Sequence, residues 1–222
     1  KNFSRRTLSL LDSVREASDI EAIPDSARQL IFHAAIFGTS AAIESYIVDI
    51  VDSWANLILN KRKSTSSLHL FTRAHLLWHI LQSQYGRFSL FNSERERLTT
   101  IAEWQTHLSI LNEEAPMPSS FSAVKIYGGT KYPSSENLDR LFLRLGITNF
   151  FDSIGAVGHQ NYRFILDSFT SIRTAIAHQV PPELTGDDVE RNVKHIDNLG
   201  KCIDQVLYTH FSCVSGIDCW PT

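Results

Sequence analysis

The chain of 222 residues is short of most features that announce a function. Its cysteines are three, Cys202, Cys213 and Cys219, with no Cys-x-x-Cys pair. An odd number without ligand spacing argues against a disulfide frame or a zinc knuckle and implies reduced thiols in a cytoplasmic protein. No apolar run reaches the roughly 18 residues of a membrane span, and no signal peptide is visible, so no membrane partner is expected. Positive charge is not in excess: 21 basic residues face 24 acidic ones, a net of −3. That balance excludes a surface coated for non-specific nucleic-acid binding and leaves room for a local basic groove. Gly128-Gly129 lies in a loop, Tyr127 to Pro133, and no Gly-Lys-Ser/Thr follows it, so it is no phosphate-cradling loop. No segment alternates apolar and polar residues over a useful strand length, and no internal repeat is present. The single methionine is Met117 and the chain opens on Lys1, so a native start upstream is expected.

Helical periodicity is what remains. Ser4 to Ser18 carries Leu8, Leu11 and Val14 on one stripe. Ile23-Pro24-Asp25-Ser26 stops that helix and starts another, which runs from Ala27 to about Asn60. Its middle, Gly38-Thr39-Ser40-Ala41-Ala42, is built of small residues that let a second helix approach or let this one bend. Ile43, Tyr46, Ile47, Ile50, Val51, Trp54 and Leu57 then form a core-facing stripe, and Lys61-Arg62-Lys63 suits the negative end of the helix dipole. A third helix is expected from Leu68 to about Tyr85, ended by Gly86. Ser93 and Glu96 form a capping box for a fourth that reaches about Glu113. Ser119 to Ile126 reads as a short helix or turn. Glu136 to Leu145 reads as a helix closed by Gly146; Asn149 to Gly158 has no clear pattern. Asn161 to Ala177 places Phe164, Ile165, Phe169, Ile172 and Ile176 on its apolar side and ends at Gln179-Val180-Pro181-Pro182. A long final helix starts at Thr185-Gly186-Asp187-Asp188 and runs to about Val214. The fold class is all-α, with two long core helices and extra shorter ones.

The residues that suggest chemistry lie at the end of the penultimate helix: Arg173-Thr174-Ala175-Ile176-Ala177-His178. Arginine followed by histidine after four to six residues is a weak pattern. With 14 arginines and 9 histidines in the chain it also occurs from Arg28 to His33 and from Arg73 to His79. Those two pairs lie inside continuous helices, where five or six positions rotate by about 500° or 600° and leave the side chains roughly 140° or 120° apart. Arg173 and His178 are expected to differ because the helix finishes near Ala177, freeing His178 to swing toward Arg173 or toward a second subunit. Arginine keeps its charge and offers a planar fork of donors to phosphate, histidine moves protons near neutral pH, and Thr174 adds a hydroxyl. Together they suit phosphodiester chemistry, with the RNA 2′-OH as a nucleophile that needs no metal. Glu44, an acid in an apolar and small-residue stripe, is the residue that could hold Arg173 or His178 by a charged hydrogen bond. His75 and His79, four apart, could chelate zinc but lack the glutamate of His-Glu-x-x-His and a third ligand. Asp49 and Asp52 read as a solvated face. Trp54, Trp78, Trp104, Phe37 and Phe71 read as core or interface.

Arg173 to His178, on the penultimate helix before a loop and a long closing helix, resembles the R-x4–6-H motif of the HEPN superfamily. The Ala-Ile-Ala-His ending is similar to RiboL-PSP-type HEPN domains. So are Ala41-Ala42-Ile43-Glu44-Ser45-Tyr46 and the stretch from Ser135-Glu136-Asn137-Leu138 to Leu145-Gly146-Ile147. The resemblance spans roughly residues 27–207 and implies a single HEPN-like helical domain over 1–222. It further implies metal-independent RNA cleavage without a cofactor, in a site shared across a homodimer, in antiviral defence or a toxin–antitoxin system with an antitoxin or defence partner. Arg173 would position or activate the phosphate and His178 would act as acid and base. Thr174 departs from the pattern, since many members carry asparagine there. The other reading is a non-catalytic HEPN module that binds a partner protein or nucleotide.

Overall fold

The computed structural model describes residues 2–88, 93–118, 121–130, 132–178 and 182–220. Among them are nine α-helices and no strand: α1 (Asn2–Asp19), α2 (Asp25–Lys61), α3 (Leu70–Phe88), α4 (Glu94–Leu108), α5 (Ala123–Tyr127), α6 (Ser135–Leu145), α7 (Phe150–Gly158), α8 (Tyr162–His178) and α9 (Gly186–Val214). The chain forms two compact units, one of residues 1–49, 129–139 and 149–207, the other of 50–128, 140–148 and 208–222.

In the first unit the small-residue segment of α2 does what its composition suggests. A Cβ on Gly38 would lie 3.0 Å from Leu10 Cδ2 of α1, so the glycine admits that helix closely. Arg28 closes the end of α1, its Nε donating to Ala17 O at 3.1 Å and Nη2 to Ile20 O at 3.1 Å. Thr7 donates to the buried Asp197 of α9 at 2.7 Å. The core is filled by Phe32, Ile36, Ile43, Phe150, Tyr162, Leu166, Phe169, Val193 and Ile196. Three caps start their helices by accepting a backbone N–H at the third position on: Ser134 from Asn137, Asn161 from Phe164 and Thr185 from Asp188. The stretch from Asn149, without a clear pattern in sequence, is α7, which ends at His159 in the left-handed region (φ 53°). Phe164, assigned to the apolar side of α8, is 69% exposed; the buried stripe is Tyr162, Leu166 and Phe169.

The second unit is built around Trp54, which stacks on Phe211 with centroids 4.3 Å apart. Its indole N–H donates to Ser215 Oγ at 3.2 Å, and that hydroxyl donates to Ser67 O at 2.9 Å, so the buried polar atoms are paired. Arg62 is engaged within the chain. Its Nε and Nη2 donate to Ser215 O at 3.0 and 2.8 Å, and Nη2 also pairs with Asp218. These bonds shape the tail after Ser215 into a 3-10 turn, Ile217–Cys219. The fourth helix ends at Leu108, short of Glu113, because the chain turns back: Thr65 N donates to Ala115 O at 2.9 Å and Met117 N to Lys63 O at 2.7 Å. The third helix starts at Leu70 and passes Gly86 to Phe88. Gly146 stops α6 at φ 99°, and a Cβ there would lie 2.2 Å from His69 Cγ. The helix expected from Ser119 begins at Ala123; Ser119 and Ser120 lie outside the described residues. Across the described residues α2 alone is long and apolar enough to cross a membrane, and half of that stretch is buried within the protein, as in a core helix.

Burial pushes the His75 imidazole down to about 4, with Arg144 and His79 nearby adding to the effect. His75 Nε2 sits 2.9 Å from Lys125 O, a pairing in which the neutral ring donates. Its contribution to stability is present above the ordinary histidine range near 6.5. It is lost as pH falls through about 4, because the unfolded chain takes the proton first. Thermal melts should therefore show a decline in Tm from about pH 6.5 to 4, shallower in His75→Gln, which keeps an amide donor and does not titrate. An identical decline in the variant would remove His75 as its source.

Candidate functional site

The candidate residues occupy the last turns of α8, in the first unit. Arg173 is partly buried; Thr174 and His178 are exposed. The helix does not stop at Ala177. It includes His178, a basic residue in the last turn that the helix dipole favours. Arg173 and His178 therefore differ by five helical positions and point about 140° apart around α8. The expected swing of His178 out of the helix does not occur, and no hydrogen bond joins the two side chains. Gln179, Val180 and Pro181 lie outside the described residues.

Partners, not helix ends, set Arg173 apart. Its guanidinium carbon lies 5.0 Å from the ring centroid of Tyr132 and 5.6 Å from that of Phe37, within cation–π range of both. It makes no ion pair and no hydrogen bond among the described residues, and its Nε is buried without an acceptor. Every other arginine of the same spacing pattern is occupied. Arg28 also bonds Asp25 at 2.9 Å. Arg73 donates to Leu111 O at 2.7 Å and to Glu113 at 3.2 Å. Arg62, whose six-residue spacing to His69 is a further instance of the pattern, bonds Ser215 and Asp218. Of these arginines, Arg173 alone makes no hydrogen bond or ion pair to a described residue.

The surroundings come from α2 and two loops. Gln29 pairs reciprocally with the backbone of Leu184, donating to its carbonyl at 2.8 Å and accepting from its N–H at 3.0 Å. One turn on, His33 Nε2 lies 3.3 Å from Pro182 O. These contacts hold Pro182 and Leu184 against the first turns of α2. Phe37 follows one turn further on the same face, against Arg173. Glu44 is two turns beyond Phe37, about 10 Å along the axis. It makes no hydrogen bond or ion pair with Arg173 or His178, so the proposed acidic support is absent. Among the described residues Thr174 likewise makes no side-chain hydrogen bond, unlike Thr170 and Ser171, which donate to the carbonyls one turn back at 2.7 and 2.9 Å.

Phe37 and Tyr132 are the residues that sequence reasoning passed over. Phe37 reads as core from its place in α2, and Tyr132 as part of a loop; nothing local links either to Arg173. Among the described residues no group of three or more His, Cys, Asp or Glu side chains is placed to hold a metal. His75 and His79 do approach, with ring centroids 4.7 Å apart, but His75 Nε2 is engaged by Lys125 O.

Replacing Gln29 by alanine leaves two backbone groups of Leu184 unpaired, a loss of about 1–3 kcal/mol. Hydrogen exchange at Leu184 N–H should quicken in Gln29→Ala and stay slow in Gln29→Glu, whose carboxylate still accepts from that N–H. Unchanged protection in the alanine variant would show that the contact does not hold the segment.

A family model described as RiboL-PSP-HEPN matches residues 1–209, taking in α1 as well as the segments that carry the resemblance in the sequence. No curated protein and no solved structure gives a match.

Proposed function

Since the chain belongs to the RiboL-PSP-HEPN family, we propose that it is an endoribonuclease in which Arg173 and His178 act on the scissile phosphate of RNA. The observation that carries this reading is the guanidinium of Arg173, held by two aromatic rings and by no carboxylate among the described residues. A fixed cation with free donors is suited to a phosphate, whose developing charge it stabilises best when already in position.

The reaction follows from the groups available. The 2′-oxygen attacks phosphorus, forming the P–O2′ bond while P–O5′ breaks. The products are a 2′,3′-cyclic phosphate and a 5′-hydroxyl. One base removes the 2′ proton and one acid protonates the departing O5′. The nucleophile belongs to the substrate, so the step is complete without a metal. A single histidine cannot stand on both sides of an in-line displacement, and within one chain Arg173 and His178 point apart. Two copies of the chain supply two of each, which is the argument for a homodimer with a shared site. The last turns of α8 favour it too: beyond Phe169 none of its residues is buried, although Ile172 and Ile176 continue the apolar stripe. A second copy would cover them. Exposed Thr174 would lie at such an interface, where its hydroxyl can reach substrate. The free thiols of the cysteines fit a cytoplasmic protein, and a defence or toxin–antitoxin role, with a partner that restrains cleavage, is the setting we propose.

His178→Ala should lower cleavage of a single-stranded RNA by about 10²–10⁴-fold, and Arg173→Ala by a comparable factor, with activity retained in excess EDTA. The wild-type rate should fall on both the acid and the alkaline side, since one histidine must be neutral while the other is charged. Full activity in both variants would refute the assignment. A wild-type dimer that cuts no RNA with or without divalent metal would favour a non-catalytic module that binds a protein or nucleotide.

A further inference from the structure

We propose that Phe37 and Tyr132 are positioning residues that hold the Arg173 guanidinium for phosphate in place of the usual carboxylate partner, an inference that rests on the ribonuclease reading for its purpose. Arginine side chains are long and lose much rotamer freedom when fixed. A protein that needs one in place commonly pairs it with an acid, as Arg163 is paired with Asp139 in the same unit. An acid beside Arg173 would fix it and also occupy the donors a phosphate requires. Aromatic faces attract the cation through the ring quadrupole and leave its in-plane N–H donors less occupied than a carboxylate would.

Both rings are themselves firmly placed. Phe37 sits in the middle of α2, next to Gly38, where α1 packs closely through Leu10. Tyr132 is tied to the start of α6: its carbonyl accepts from Ser134 N at 2.9 Å and from Asn137 Nδ2 at 3.0 Å. Asn137 N is in turn held by the Ser134 side chain at 3.2 Å. The rings thus approach Arg173 from two elements distant in sequence, both within the roughly 6 Å over which such contacts act. The hydroxyl of Tyr132 has no part in this role, so phenylalanine should replace it and leucine should not.

The test has one arm that does not depend on activity. In arginine side-chain NMR spectra, the Arg173 Nε–H resonance, assigned by its loss in Arg173→Lys, should carry a ring-current shift. The shift should persist in Tyr132→Phe, shrink in Tyr132→Leu and Phe37→Leu, and be smallest in the double variant. The second arm measures binding of a single-stranded RNA blocked by a 2′-deoxy nucleotide at its cleavage site. Tyr132→Leu should weaken binding on the order of 3- to 10-fold, Tyr132→Phe should restore it, and Tyr132→Glu should weaken it further by pairing with Arg173. Tyr132 lies in a loop, so its variants remain informative if Phe37→Leu fails to fold, which a far-UV melt will show. An Arg173 resonance that ignores both rings would overturn the proposal. So would Tyr132→Leu that binds RNA like wild type while Arg173→Ala loses it. If the wild-type protein and Arg173→Ala treat RNA alike, the ribonuclease reading fails, and the ring-current shifts still decide whether the two rings hold the arginine.

Discussion

Arg173 is held at 5.0 and 5.6 Å by the rings of Tyr132 and Phe37, and no described residue neutralises it. A buried or half-buried arginine without an acid is an expensive thing to keep. Folding alone gives no reason for it, because a carboxylate or a pair of carbonyls would satisfy the same side chain better. Arg28, Arg62 and Arg73 illustrate the structural alternative: each closes a helix end or clamps a turn and has its charge or its donors met. In the first unit the close approach of α1 to α2 beside Phe37 and the capped start of α6 at Tyr132 place the two rings.

The helices were largely legible in the sequence, because an amphipathic stripe is a local property. Ile43, Ile47, Val51 and Trp54 are buried as their spacing requires. The caps at Ser93, Asn161 and Thr185 and the stop at Gly146 follow from residue chemistry over a few positions. The misjudged ends are those decided by distant partners. The fourth helix stops at Leu108 because residues 112–117 pair with the segment around Thr65. No pattern within the helix encodes that. Phe164 fits the periodicity of α8 equally well on paper and is left outside by the packing of Leu166 and Phe169.

The candidate residues can be picked out in the sequence, but their geometry cannot. Arg173 and His178 stood out by position and by resemblance, but the reason offered, a helix that releases His178, is not the one the structure supplies. His178 stays helical. Glu44 attracted attention as an acid among small residues, yet the support for Arg173 is aromatic and comes from Phe37 on the same face of α2 and from Tyr132 in a loop. Side chains brought together from three separate segments leave no signature in the order of residues. The same holds for Gln29 and His33, whose role in holding Pro182 and Leu184 becomes apparent only once the two segments are adjacent.

The most direct measurement is an experimental structure of the chain bound to a single-stranded RNA carrying a 2′-deoxy nucleotide at the cleavage site. The account predicts a phosphate oxygen within hydrogen-bond distance of the Arg173 guanidinium, the rings of Phe37 and Tyr132 still beside it, and His178 of a second copy at the same phosphate. An Arg173 turned to a carboxylate, or RNA bound away from the end of α8, would contradict it.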